Sequence, residues 1–117
     1  MAKLSTHVLD TMNGRPAAGM RIGFFRMDGD RAEPLGEYRT NADGRTDGQL
    51  LDAKSFRTGR YELRFHVAGY FRGLGVDLPE PAFLDVVTVA FGIAEPDGSY
   101  HVPLLVSPWA YSTYRGS

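Results

Sequence analysis

Apolar and polar residues take turns along much of the chain. In Tyr61-Glu-Leu-Arg-Phe-His-Val67 the apolar Tyr61, Leu63, Phe65 and Val67 alternate with Glu62, Arg64 and His66, the period of a strand with one wet face. Met20, Ile22 and Phe24 repeat the pattern, as do Val87, Val89, Phe91 and Ile93, and then Tyr100, Val102, Leu104 and Val106. Between such stretches lie Asn13-Gly14, Asp28-Gly29, Asp43-Gly44, Asp47-Gly48 and Asp97-Gly98. These pairs favour tight turns because Gly tolerates positive φ and Asx side chains bond the local backbone. The spacing predicts a minimum of about seven strands. Ala68-Gly-Tyr-Phe-Arg-Gly-Leu-Gly75 is the one helical candidate, about two turns long and weakened by its glycines. Strands and turns in this succession predict an all-β fold, a two-sheet antiparallel β-sandwich with one short helix, filling residues 1–117 as a single domain.

Some faces that should meet water are less polar than a solitary sandwich requires. In the first strand Leu4, Thr6 and Val8 share one side while Ser5, His7 and Leu9 share the other. Opposite Val102 and Leu104 stand His101, Pro103 and Leu105, and at the chain's end Ser112, Tyr114 and Gly116 alternate with Tyr111, Thr113 and Arg115. Apolar groups on an otherwise wet face mark a subunit contact or a ligand groove, so a shared surface in an oligomer is expected.

Composition narrows the classes of function. With 43% apolar and 12% aromatic residues, the chain can bury a core without help. A formal net charge of -1 with interspersed signs gives no block suited to nucleic acid or a membrane surface. The absence of cysteine removes disulfides, thiolate metal sites and thiol nucleophiles. No apolar run approaches the roughly 18 residues of a membrane span, and the first residues lack the apolar stretch of a signal peptide. A cytoplasmic location is expected.

Histidine is the side chain best suited to proton transfer near neutrality, and there are three: His7, His66 and His101. His66, among Glu62 and Arg64, reads as a solvated residue. From spacing alone, His7 and His101 fit either satisfied surface or core histidines or a pair of catalytic bases. Arg45, between two turn signals in Asn41-Ala-Asp-Gly-Arg-Thr-Asp-Gly48, is either solvated or offers a planar guanidinium to a polar or anionic ligand. No His-x-x-x-His pair suggests zinc, and the acidic loop lacks the closing Glu of a calcium site. Neither metal nor cofactor is expected.

Three segments together resemble the transthyretin-related 5-hydroxyisourate hydrolases. They are Leu4-Ser-Thr-His-Val-Leu-Asp10 with Gly14-Arg-Pro-Ala17, then Thr40-Asn-Ala-Asp-Gly-Arg45, then Tyr100-His-Val-Pro-Leu-Leu-Val-Ser-Pro108 running into Tyr111-Ser-Thr-Tyr-Arg-Gly-Ser117. The likeness spans essentially the whole chain, and its terminal Tyr-Arg-Gly-Ser is the most distinctive mark. It implies a transthyretin-like sandwich, a homotetramer built as a dimer of dimers, and active sites at the dimer–dimer interface. It also implies catalytic roles for His7, Arg45, His101 and Ser117, and substrate binding by Arg45, Tyr114, Arg115 and Ser117. Trp109 stands where a Tyr is common, and residues 77–85 are irregular. The implied reaction is hydrolysis of 5-hydroxyisourate to 2-oxo-4-hydroxy-4-carboxy-5-ureidoimidazoline in urate breakdown, by histidine-activated water without metal. A transthyretin-like module that binds a small molecule without turnover is the alternative. The carrier itself is less similar, since it lacks the two histidines with arginine and the Tyr-Arg-Gly-Ser end.

Overall fold

The computed structural model describes residues 2–116, in two four-stranded sheets packed face to face. In chain order the elements are β1 (Lys3–Asp10), β2 (Arg15–Pro16), β3 (Arg21–Asp28), β4 (Arg31–Arg39), β5 (Gly59–His66), α1 (Val67–Gly73), β6 (Val86–Ile93), β7 (Ser99–Val106) and β8 (Tyr111–Thr113). One sheet runs β2-β1-β7-β8 and the other β4-β3-β5-β6.

The alternation seen in the sequence becomes the division between core and face. Leu4, Thr6 and Val8 of β1, Tyr61, Leu63 and Phe65 of β5, Val87 and Val89 of β6, and Tyr100, Val102, Leu104 and Val106 of β7 all point inward and are buried. Each such apolar side chain removed from water contributes about 1.5–3 kcal/mol. Phe24 and Tyr61 stack within this layer with ring centroids 5.6 Å apart. Thr6 is buried without penalty because its hydroxyl donates to the Val102 carbonyl at 2.7 Å. Strand β4 shows no clean alternation because it is an edge, largely exposed, with Pro34 opposite a register shift at Phe24/Phe25.

The sheets are not wholly antiparallel: β1 and β7 pair in parallel, from Lys3 beside Ser99 to Asp10 beside Val106. That pairing joins the two ends of the chain in the middle of one sheet. The predicted helix appears one residue early, at Val67, and ends at Gly73. It follows β5 without a side-chain cap, and the Asp85 carbonyl instead accepts the N–H groups of Val67 and Ala68, each at 3.1 Å. That carbonyl also fixes the irregular stretch before β6. Among the described residues no helix is long and apolar enough to cross a membrane.

Candidate active site

Parallel register is what brings the histidines together. It sets Ser5 beside His101 and His7 beside Pro103, so both imidazoles stand on the outer face of the β2-β1-β7-β8 sheet. Their ring centroids are 6.4 Å apart with the planes inclined by 36°. Both residues are half-buried.

Arg45 reaches the same place on a loop built to lie against β1. The Asn41 side-chain oxygen accepts the N–H groups of Asp43 and Arg45 at 2.9 and 3.1 Å, which curls the loop into an Asx turn. Gly44 completes it with φ +75°, and a Cβ there would strike the Val8 carbonyl, so only glycine allows so close an approach. The Val8 N–H then donates to the Gly44 carbonyl at 2.8 Å, and His7 and Arg45 form a bridge. At the loop's root the buried Thr40 hydroxyl donates to Ala17 and accepts from the Met20 N–H. The loop's last contact is with His7 itself, whose Nε2 lies 2.9 Å from the Asp43 carbonyl. A carbonyl can only accept, so that nitrogen carries a proton, and among the described residues Nδ1 is the atom of His7 left free. Among the described residues the Arg45 guanidinium makes no ion pair, and it is exposed.

His101 is held on both sides. Its Nδ1 lies 2.8 Å from the Ser5 hydroxyl, and its backbone pairs with Gly116 through bonds of 2.7 and 3.3 Å. Burial pushes its pKa below the ordinary histidine value, and the positive charges of Arg45, His7 and Lys3 push it the same way. Both effects favour the neutral ring.

The chain's end is less regular than the sequence suggests. Strand β8 stops at Thr113, yet His101 meets Gly116 in the same register that sets Leu104 beside Thr113. The gap comes from Pro103, which has no N–H to give and whose carbonyl accepts the Thr113 hydroxyl at 2.7 Å. Tyr114 falls opposite this gap and is 61% exposed. Arg115 does not join the histidines: its guanidinium lies 4.0 Å from the centre of the Tyr100 ring and pairs with Glu95 at 3.2 Å. Tyr100 faces the interior and His101 faces out, so Arg115 works on the other side of the sheet. Ser117 lies outside the described residues. His66 stands on the other sheet, beside Arg21 and Arg64.

Sequence reasoning missed the supports, Ser5, Asn41 and Gly116, because their importance depends on partners brought close only by folding. No three His, Asp or Glu side chains among the described residues gather in a metal-binding group. Among the described residues the better-formed grooves lie elsewhere, among them one of about 210 Å³ beside Tyr100 and Arg115 and one of about 500 Å³ on the opposite sheet. The histidine face is open in one copy.

The profile of the HIUase/Transthyretin family matches residues 4–116. This chain belongs to that family. Its similarity to 5-hydroxyisourate hydrolase 2 of Rhizobium meliloti (strain 1021) is 56% identity over 98% of this chain and 96% of the relative. It is 52% identical to the 5-hydroxyisourate hydrolase of Ralstonia nicotianae over the full length of both. The solved structure of Klebsiella pneumoniae 5-hydroxyisourate hydrolase superposes with a TM-score of 0.81 at 33% identity, covering both chains completely. That of (S)-allantoin synthase gives 0.93 at 48% identity, with 99% of this chain matching 44% of that one. Within the family the chain is an enzyme, a hydrolase.

Proposed function

We propose that this chain hydrolyses 5-hydroxyisourate, opening its six-membered ring to give 2-oxo-4-hydroxy-4-carboxy-5-ureidoimidazoline, as a cytoplasmic step of urate breakdown. The observation that carries the reading is the convergence of His7, Arg45 and His101 on one sheet face, from three segments far apart in the chain. A groove that only held an apolar ligand would have little use for two titratable rings and a free guanidinium.

Hydrolysis of a ring amide needs a stronger nucleophile than neutral water and a place for charge on the attacked oxygen. Neutral His101 accepts a proton from water as the water oxygen bonds to the carbonyl carbon. The C–N bond then breaks, and the departing nitrogen takes up a proton. His101 returns the water's proton to that nitrogen while His7 orients the water at its free Nδ1, or His7 supplies the proton from Nδ1 when it is in the imidazolium form and His101 keeps the one from water. Such proton transfers typically contribute 10²–10⁴-fold. Arg45 binds the heterocycle's oxygens and stabilises the developing oxyanion, a term often worth about 3 kcal/mol per donor. Ser117, through hydroxyl or terminal carboxylate, positions the substrate, and Tyr114 lines the pocket. Arg115 serves by fixing the tail, not by touching substrate. No metal takes part. A homotetramer built as a dimer of dimers closes the open histidine face against another copy.

The test is to generate 5-hydroxyisourate in place from urate with a urate oxidase and follow its ultraviolet absorbance, with chelator present. Accelerated decay is expected from the wild type, and His7→Ala, His101→Ala and Arg45→Ala should each lose most of kcat/KM. Wild-type rates in both histidine variants would remove the mechanism. A folded protein that binds the substrate or its analogues saturably without turnover would leave the binding-module reading.

A further inference from the structure

His101 occupies a slot with two walls, each from a different end of the chain. On the β1 side, 96 residues away in sequence, the Ser5 hydroxyl meets Nδ1 at 2.8 Å. On the tail side the Cδ2 edge of the ring lies close to Gly116, where an added Cβ would stand 2.9 Å from Cδ2, 3.1 Å from Cβ and 3.3 Å from Cγ of the histidine. Carbon atoms do not approach so closely at rest, so the ring could keep its place only beside a residue with no side chain. Gly116 does not have the positive φ that favours glycine, so the need is one of space and not of backbone freedom.

With Nδ1 turned toward β1 and Cδ2 toward the tail, the ring can present only its far end, with Nε2, to the open face. Nε2 is also the nitrogen that no protein group engages among the described residues. We propose that Ser5 and Gly116 are positioning residues for His101: the Ser5 hydroxyl oxygen accepts a hydrogen bond from Nδ1–H and so leaves the lone pair on Nε2, and Gly116 gives the ring room to hold that aim. The tautomer follows from the charges on the face. Arg45 presents positive charge there, which favours a lone pair over an N–H pointing the same way. The role rests on the hydrolase reading, in which His101 takes a proton from water. An orienting partner of this kind on a working histidine is typically worth 10–100-fold in activity.

The experiment uses the full chain labelled with ¹⁵N in histidine, as wild type, Ser5→Thr, Ser5→Val and Gly116→Ala. Thr and Val have the same shape and differ by the hydroxyl, and circular dichroism and urea unfolding check that each variant keeps the wild-type fold. Long-range ¹H–¹⁵N spectra read the tautomer of His101, and turnover of 5-hydroxyisourate gives kcat and KM separately. A protonated Nδ1 is expected in wild type and Ser5→Thr, with kcat within about twofold. Ser5→Val should show mixed tautomers and kcat down roughly tenfold or more at little changed KM. Gly116→Ala should shift the His101 resonances and lower kcat similarly. Ser5→Val with the wild-type tautomer, equal losses in Thr and Val, or an undisturbed His101 in Gly116→Ala would overturn the proposal. Absence of turnover in wild type would count against the hydrolase reading alone, since the spectra decide on Ser5 and Gly116 without it.

Discussion

His101 has a proton affinity set by its surroundings, and that gives the activity a shape against pH. Burial, Arg45, His7 and Lys3 all disfavour the charged ring. On the proposed mechanism the neutral form is the active one, so kcat/KM should hold level through neutrality and fall only as the pH drops below the ordinary histidine value of about 6.5. Removing a positive neighbour must move the midpoint the other way: in Arg45→Gln, the His101 titration followed by NMR should shift to higher pH. A midpoint that does not move would mean that Arg45 lies too far from the ring to act on it, or is too well screened. The sequence made His7, Arg45 and His101 visible because they are chemically unusual residues inside recognisable segments. Ser5 and Gly116 are ordinary residues, and their meaning comes from neighbours that a linear reading does not bring close. Arg115 shows the converse. The motif marks it as part of the site, whereas strand alternation sends its side chain to Tyr100 and Glu95.

At the scale of elements, Asp10 ties together β1, the turn after it and α1. It is buried, and its carboxylate accepts from the Asn13 backbone and side chain at 2.9 and 2.8 Å and from the Tyr70 hydroxyl at 2.7 Å. Burial alone would raise its pKa, but these bonds outweigh it and hold the carboxyl below its usual range. Tyr70, buried against that carboxylate, is pushed up to about 12. A carboxyl lowered on folding contributes stability that is present above its unfolded value, about 3.9, and is lost as pH falls through the folded value. Asp10→Ala should therefore cost about 3 kcal/mol in urea unfolding at pH 7, the worth of hydrogen bonds to a charged acceptor. The gap from wild type should narrow below about pH 4, and a gap constant down to pH 2 would deny the carboxylate this role. The strands themselves were legible because β5, β6 and β7 each show water one face. The parallel pairing of β1 with β7 was not, since alternation is the same read in either direction and carries no sign of which way a neighbour runs.

The whole molecule leaves its chemistry on an open sheet face, and two sheet edges, β6 and β8, end with unpaired backbone. Beside those edges the rings of Phe83 and Trp109 stack at 5.9 Å while exposed by 69% and 59%, with Val86 and Tyr111 also exposed at the starts of the two strands. Exposed large rings, edge strands and the half-buried Leu9 and Leu105 beside the histidines favour the proposed contact with other copies. Neither of its larger grooves, of about 320 and 500 Å³, is lined by His7 or His101, so in the proposed tetramer another chain completes the water-excluded setting that strengthens a guanidinium's hold on an oxyanion. Sedimentation velocity at micromolar concentration should give four times the 12.9 kDa of one chain. Specific activity should fall on dilution in step with dissociation, while the circular dichroism of the separated chains stays that of a folded sandwich. A monomer that keeps its full specific activity would show that one copy completes the site by itself, and the exposed rings would then need another partner to account for them.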